Sequence, residues 1–233
     1  MRENEKNHKK HIQKLLRKIH KPLRAVKKIP NIICLKRRAA FSERMHHKIN
    51  KTFYLISNNC CGGMLYHDCK LRFESPTVNL SIPDEDYILF CSHLKEFVNG
   101  EIIETNNPDV NYPCGIINTK YGSVNIHFVH YSSFNEAVTA WRRRASRLDY
   151  NKVIVLFVAG ANATERIIDA FGEIPFKKVL LTSGADTDRY TYCYNMKCYK
   201  KGYSGPLTFH KKKHGVSRYM YEFNLVDFVN ESI

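Results

Sequence analysis

Short apolar runs alternate along the chain with polar or glycine-bearing breaks, and the spacing of those breaks predicts most of its elements. Phe53-Tyr54-Leu55-Ile56 is an apolar strand that ends on Ser57-Asn58-Asn59; Cys60-Cys61-Gly62-Gly63 then turns the backbone into Met64 to Cys69, a short helix. Thr77 to Leu80 reads as a further short strand. Ser81, Pro83, Asp84, Glu85 and Asp86 mark a helix start, with a serine cap, an early proline and acids facing the dipole, and the helix continues to about Val98, where Asn99-Gly100 stops it. Cys114 to Asn118 and Ser123 to Tyr131 read as two strands of a hairpin closed by Thr119-Lys120-Tyr121-Gly122.

Ser133 and Glu136 have the spacing of a capping box and open a helix that carries Ala137, Val138, Ala140, Trp141 and Leu148. Val153 to Val158 is a buried strand that leads through Gly160-Ala161-Asn162 into a helix, Thr164 to Phe171, and Lys178 to Thr182 is the next strand. This alternation predicts an α/β fold with a mixed, largely parallel sheet flanked by helices. Beyond it, Tyr190, Tyr192, Tyr194 and Met196 alternate with polar residues and Gly202 and Gly205 mark turns, which predicts a C-terminal antiparallel hairpin region.

Charge divides the chain. Residues 1–50 hold 16 Lys and Arg against three acids, whereas residues 51–233 hold 21 against 19, so a formal net charge of +15 sits almost wholly on the N-terminal arm. Within that arm Ile12, Leu15, Leu16, Ile19, Leu23 and Val26 recur at helical spacing between basic residues, interrupted by Pro22. A basic amphipathic helical arm of this kind suits an anionic membrane surface, nucleic acid, or its own domain as the covering partner. The rest of the chain has no basic stripe interleaved with aromatics, so no specific nucleic-acid partner is expected. The expected organisation is this arm over residues 1–50 and a single α/β domain over residues 51–233, with about 185–233 as a smaller β-rich lobe.

No window approaches the roughly 18 consecutive apolar residues that a membrane span requires. With no secretory pattern at the N-terminus, the eight cysteines read as reduced thiols of a cytoplasmic protein. Cys193, Cys198, His210 and His214 approach the spacing of a small zinc finger, but Gly202, Gly205 and Pro206 interrupt the finger's second strand and helix, so no metal and no cofactor are expected. Phosphate-loop, dinucleotide and nucleophile-elbow motifs are absent.

The chemistry concentrates in three places. A strand running into Ser57, Asn58, Asn59, Cys60, Gly62 and Gly63 brings backbone N–H groups and a helix N-terminus together, which suits an anion and favours a thiolate at Cys60. The plainer reading, close packing by the glycines around a buried thiol, stands beside it. His127 and His130 are three apart on the second hairpin strand and are expected on opposite faces, so one of them serves structure and the other is a candidate base. Trp141-Arg142-Arg143-Arg144-Ala145-Ser146-Arg147 puts Arg143 and Arg147, and Arg144 and Arg147, on a shared helix face able to clamp a phosphate or carboxylate, or else to pair with acids such as Asp149.

Taken together, ISNNCCGG at 56–63, IPDEDYILF at 82–90, IHFVHYSSFNEAVTAWRRRASRL at 126–148, PFKKVLLTS at 175–183 and RYMYEFNLVDFVN at 218–230 resemble a bacterial family of exopolysaccharide biosynthesis proteins otherwise described as a domain of unknown function. The resemblance covers about residues 50–230. It implies an α/β fold and an association with capsule, exopolysaccharide or lipopolysaccharide synthesis, without an established reaction. The matching polar positions are Ser57, Asn58, Asn59, Cys60, Gly62, Gly63, His127, His130, Trp141, Arg143, Arg144 and Arg147. Cys61 stands where the family commonly has tryptophan, and Val158 to Ala161 lacks the acids often found after that strand.

The resulting expectation is a transferase at the cytoplasmic membrane face that passes a sugar or acyl group from an activated donor to a lipid-linked saccharide acceptor. Acyl transfer would use Cys60 as nucleophile with His127 or His130 as base. Glycosyl transfer would use the turn and the arginines to stabilise a departing phosphate. The alternative is a non-catalytic saccharide-binding or assembly protein of the same pathway.

Overall fold

The computed structural model describes residues 33, 35–37, 39–49, 51–160, 163–183, 187, 189–196, 212–213, 216–217 and 223–231. The chain divides into two units, residues 1–41 with 214–216, and residues 42–213 with 217–233. In the first, the described residues between 33 and 41 are helical, with Ile33 and Leu35 exposed. Most of the basic arm lies outside the described residues. So do Cys198, His210 and His214 of the zinc-like spacing.

The second unit is built on a four-stranded parallel sheet in the order β1 (Tyr54–Ser57), β5 (Val153–Gly160), β6 (Lys177–Thr182), β7 (Cys193–Asn195). The central strand β5 is VIVLFVAG, apolar at seven consecutive positions, because its two faces and both its edges are covered. A separate antiparallel sheet contains β2 (Ile102–Thr105), β3 (Cys114–Thr119) and β4 (Gly122–His127), in the order β2-β3-β4. The unit's helices include α1 (Cys61–Asp68), α2 (Asp84–Ser92), α3 (Leu94–Asn99), α4 (Phe134–Ala145), α5 (Glu165–Gly172) and α6 (Leu225–Glu231). The mixed α/β architecture is therefore the one the strand-helix alternation predicts.

The helix ends follow from local chemistry. The Ser133 hydroxyl accepts from Glu136 N at 3.2 Å and the Thr164 hydroxyl from Ile167 N at 3.4 Å, fixing the starts of α4 and α5. Glu136 reaches back one residue further than a capping box would, to the amide and hydroxyl of Ser132. α2 is capped differently from expectation. Pro83 occupies the N-cap without a side-chain bond, three acids fill the first turn, and the helix breaks at His93 (φ −127°, ψ 44°) before α3 resumes.

Two further expectations are corrected. In the tyrosine-rich stretch expected to form antiparallel hairpins, Cys193–Asn195 instead pairs in parallel with β6, while the turns expected at Gly202 and Gly205 lie outside the described residues. An edge strand and a hairpin strand are both half-covered, so the same tyrosine alternation serves either. Thr77 to Leu80 is a turn, in which Asn79 takes φ +67°, a left-handed conformation that asparagine tolerates better than most residues.

That turn joins the two sheets. Ile82 N donates to Asn58 O at 2.9 Å on the side of the parallel sheet, while Ser81 and His127 exchange N–H···O bonds of 2.8 Å on the side of β4. His130 N donates to Asn79 O at 3.3 Å. Residues 79–82 thus form a spine between the carboxyl end of β1 and the carboxyl end of β4.

Candidate functional site

The carboxyl end of β1 is fixed by buried polar side chains. Asn58, 4% exposed, completes the β1–β5 ladder with its amide: Val158 N donates to Oδ1 at 3.0 Å and Nδ2 donates to Val158 O at 3.1 Å. Nδ2 also lies 3.4 Å from Asp84 Oδ1 at the start of α2. Ser57 N donates to Thr77 Oγ1 at 2.9 Å, and the Ser75 and Thr77 hydroxyls are 3.0 Å apart, so three buried polar residues lock the turn beneath the spine. The residue types that mark this stretch as chemical in the sequence are largely occupied in holding it together.

The helix N-terminus after it is similarly filled. Asn59 Oδ1 accepts from Cys61 N at 2.9 Å, taking the first free amide of α1. A Cβ on Gly62 would stand 2.9 Å from Ser57 Cβ, and one on Gly63 would stand 3.2 Å from Val78 Cγ1, so both glycines permit close approach of α1 to β1 and the spine. Cys60 Sγ donates towards Leu80 O at 4.0 Å, and burial pushes its thiol up from the ordinary value. Burial thus runs against the activated thiolate expected at Cys60, with desolvation the larger influence and the backbone hydrogen bond acting in the opposite direction.

The histidines are not placed as an alternating pair. β4 ends at His127, so His130 lies in the following turn and is exposed. His127 Nδ1 faces Cys114 Sγ at 3.7 Å, with the Tyr112 ring edge-on at 5.9 Å between centroids. The imidazole expected to serve Cys60 thus has another thiol as its hydrogen-bond partner. Cys114 is missed by reading the chain linearly, although the hairpin register, in which Thr119 pairs Gly122, carries Cys114 directly opposite His127. Burial pushes the Cys114 thiol up as well.

The arginine cluster separates. Arg147 Nε donates to Glu74 Oε2 at 3.0 Å and its Nη2 to Phe73 O at 3.2 Å, so it belongs to a structural ion pair, which Arg72 also joins. Trp141 is 2% exposed and donates Nε1 to Val98 O at 3.0 Å, a core anchor of α4. Asp149, expected as an alternative partner for the arginines, pairs with Lys152.

Arg143 and Arg144 remain, and with His130, Tyr131, Asn79 and Glu136 they line a cleft of about 480 Å³ between α4 and the spine. Arg144 is only 5% exposed. Its Nη1 donates to the Tyr131 hydroxyl at 2.7 Å, which in turn donates to Val78 O at 3.2 Å, and its guanidinium sits 5.8 Å from the Phe73 ring centroid. Its Nε is buried without a hydrogen-bond partner, and no acid pairs with it among the described residues. A buried guanidinium left in this state is costly, by several kcal/mol for an unpaired ion, which makes the cleft a place where an anion would be stabilised. Glu136 is the one acid among those six lining residues, and the hydrogen bonds from Ser132 hold its carboxyl below the usual range.

A second depression of about 400 Å³, lined by Asn99, Gly100, Trp141 and Arg142 among others, lies against other residues of α4. It contains no buried polar side-chain atom without a partner among the described residues, and carries no comparable chemistry. Parallel sheets collect ligands outside their strands' carboxyl ends where strand order reverses. The order β1-β5-β6-β7 does not reverse among the described strands, so the cleft arises where the spine meets α4 instead. No group of three or more His, Cys, Asp or Glu able to hold a metal occurs among the described residues, and no described helix is long and apolar enough to cross a membrane.

An uncharacterised protein of Haemophilus influenzae is 26% identical over 175 residues, which is 75% of this chain and 82% of the relative. The model of one family, described as a domain of unknown function (DUF1919), matches residues 33–230, which includes the spine, the four-stranded and three-stranded sheets and the arginine cleft, and the chain belongs to that family.

Proposed function

We propose that the protein is a transferase of bacterial surface-polysaccharide synthesis that takes a sugar from a donor with an anionic leaving part and passes it to a lipid-linked saccharide at the cytoplasmic membrane face. The pathway assignment rests on the motif resemblance, and the basic arm supports the membrane location through attraction to anionic lipid. The observation that carries the chemistry is Arg144, a buried cation without an acidic partner among the described residues, beside Arg143 and His130 in an open cleft. In such a transfer the bond between the sugar's anomeric carbon and the leaving oxygen breaks with its electron pair going to the anion. A hydroxyl of the acceptor forms the new bond and gives up its proton. Arg143 and Arg144 suit the departing charge, and His130 is the candidate acceptor of the proton.

Burial of Cys60 weighs against the acyl-enzyme route, because a thiol pushed up from its ordinary value supplies less thiolate at neutral pH. The internal bonding of Ser57, Asn58 and Asn59 supports the other reading, a non-catalytic saccharide-binding or assembly protein, in which the cleft only recognises its ligand. Mass analysis of the surface polysaccharide from a deletion strain separates them. A missing sugar with the rest of the repeat unit intact is the expected result. Normal composition with reduced chain length or amount favours the assembly reading, and an unchanged polymer removes both.

A further inference from the structure

We infer that the cleft between α4 and the spine is a diphosphate site, with Arg144 taking the inner phosphate and Arg143 the outer one. This rests on the reading above only in calling the ligand a donor; the binding chemistry stands on the cleft itself. Consecutive residues on a helix point about 100° apart and cannot grip one small anion side by side. Yet Arg143 and Arg144 both line this cleft, one exposed and one 5% exposed, so they meet a ligand at two depths. A single phosphate reaches one of them. Two linked phosphates reach both.

The inner position is prepared for a charge. Tyr131 and the Phe73 ring hold the Arg144 head, while Nε is buried without a hydrogen-bond partner among the described residues. A phosphate oxygen is the acceptor that satisfies it with a charge-assisted bond. The outer position is selective through its surroundings. Glu136 is kept ionised by Ser132 and lines the same cleft, so a weakly charged carboxylate ligand gains little there, whereas a diphosphate carries enough negative charge to be drawn by two guanidinium groups past one carboxylate. The volume of about 480 Å³ lies within the range of small-molecule sites, roughly 300 to 1,000 Å³, and leaves room for the group attached to the diphosphate.

The test is calorimetric titration of the full-length protein at fixed ionic strength with inorganic pyrophosphate, phosphate and acetate. Parallel titrations with UDP and geranyl diphosphate distinguish a nucleotide-borne from a lipid-borne diphosphate. Pyrophosphate is expected to bind more tightly than phosphate, and acetate not at all. Arg143→Gln, at an exposed position, is expected to weaken pyrophosphate at least about tenfold, the loss of one charge-assisted contact. Arg144→Lys, which keeps a charge but removes the Nε donor, is expected to do the same. Arg142→Gln, which takes the same charge from the neighbouring position lining the other depression, is expected to leave binding unchanged. Equal weakening in all three variants would mean a general attraction of anions to a basic chain and would overturn the proposal, as would pyrophosphate binding no tighter than phosphate. The two readings fail separately. Arginine-dependent pyrophosphate binding alongside a normal polysaccharide in the deletion strain leaves the site standing and removes the transferase.

Discussion

Asn58 and Val158 pair through a side-chain amide that acts as one more peptide in the sheet, donating at 3.1 Å and accepting at 3.0 Å across the carboxyl ends of β1 and β5. Because the same residue also receives Ile82 N on its backbone oxygen, a single asparagine ties the parallel sheet to the spine that carries the site. Asn58→Ala would leave a buried N–H and C=O without partners, at about 1–3 kcal/mol each. Asn58→Asp would set a carboxylate oxygen against the Val158 carbonyl and cost at least as much. Urea unfolding of the two variants checks this, and a loss below about 1 kcal/mol for both would show that water replaces the pairing.

Gly62 is required by space. A Cβ there would meet the buried Ser57 Cβ at 2.9 Å, and Ser57 belongs to a strand with no room to move. Gly62→Ala is therefore expected to destabilise by about 1–3 kcal/mol. Gly63→Ala, which meets a valine methyl at 3.2 Å, should cost less, and the order of the two melting temperatures tests the assignment.

Alkaline pH should unfold the protein early. Burial pushes the thiols of Cys69 and Cys193 up to about 12 and about 11, and the Tyr192 phenol up to about 12. In the unfolded chain these groups ionise at ordinary values near 8.5 to 10. Groups whose folded values are raised contribute stability that is complete below the unfolded value and is lost as pH rises through the folded one. The melting temperature is thus expected to hold level from pH 7 to about 8.5 and then to fall steadily towards pH 11. Cys193→Ser should flatten that fall, and a melting temperature that rises above pH 9 would contradict it.

Cys60 should alkylate slowly. With its thiol pushed up by burial and directed at Leu80 O, its rate with iodoacetamide at pH 7 is expected below that of free glutathione. Mass mapping of modified peptides measures it. A rate well above glutathione would restore the nucleophile.

The strands and helices were legible where a local pattern decides them. β5, the β3-β4 hairpin and the cap at Ser133 each follow from a few adjacent residues. The Asn79 turn was not, because Thr77 to Leu80 has the composition of a strand and becomes a turn through long-range bonds from Ser57 N to Thr77 Oγ1, from the Tyr131 hydroxyl to Val78 O and from His130 N to Asn79 O. The arginine face shows the same limit. Helical spacing groups Arg143, Arg144 and Arg147, but Glu74, 73 positions earlier, takes Arg147 out of the group. Burial of Cys60 depends likewise on where the Leu80 backbone passes, which no pattern around residue 60 records.

If Arg143 and Arg144 bind the donor of a sugar transfer, complementation of the deletion strain with variants at these positions reads it out in the polymer itself. Cells expressing Arg143→Gln at normal protein level are expected to make a polysaccharide lacking the same sugar as the deletion strain, while Arg142→Gln and Cys60→Ala restore the complete repeat unit. Full restoration by Arg143→Gln would show that this arginine does not bind the donor.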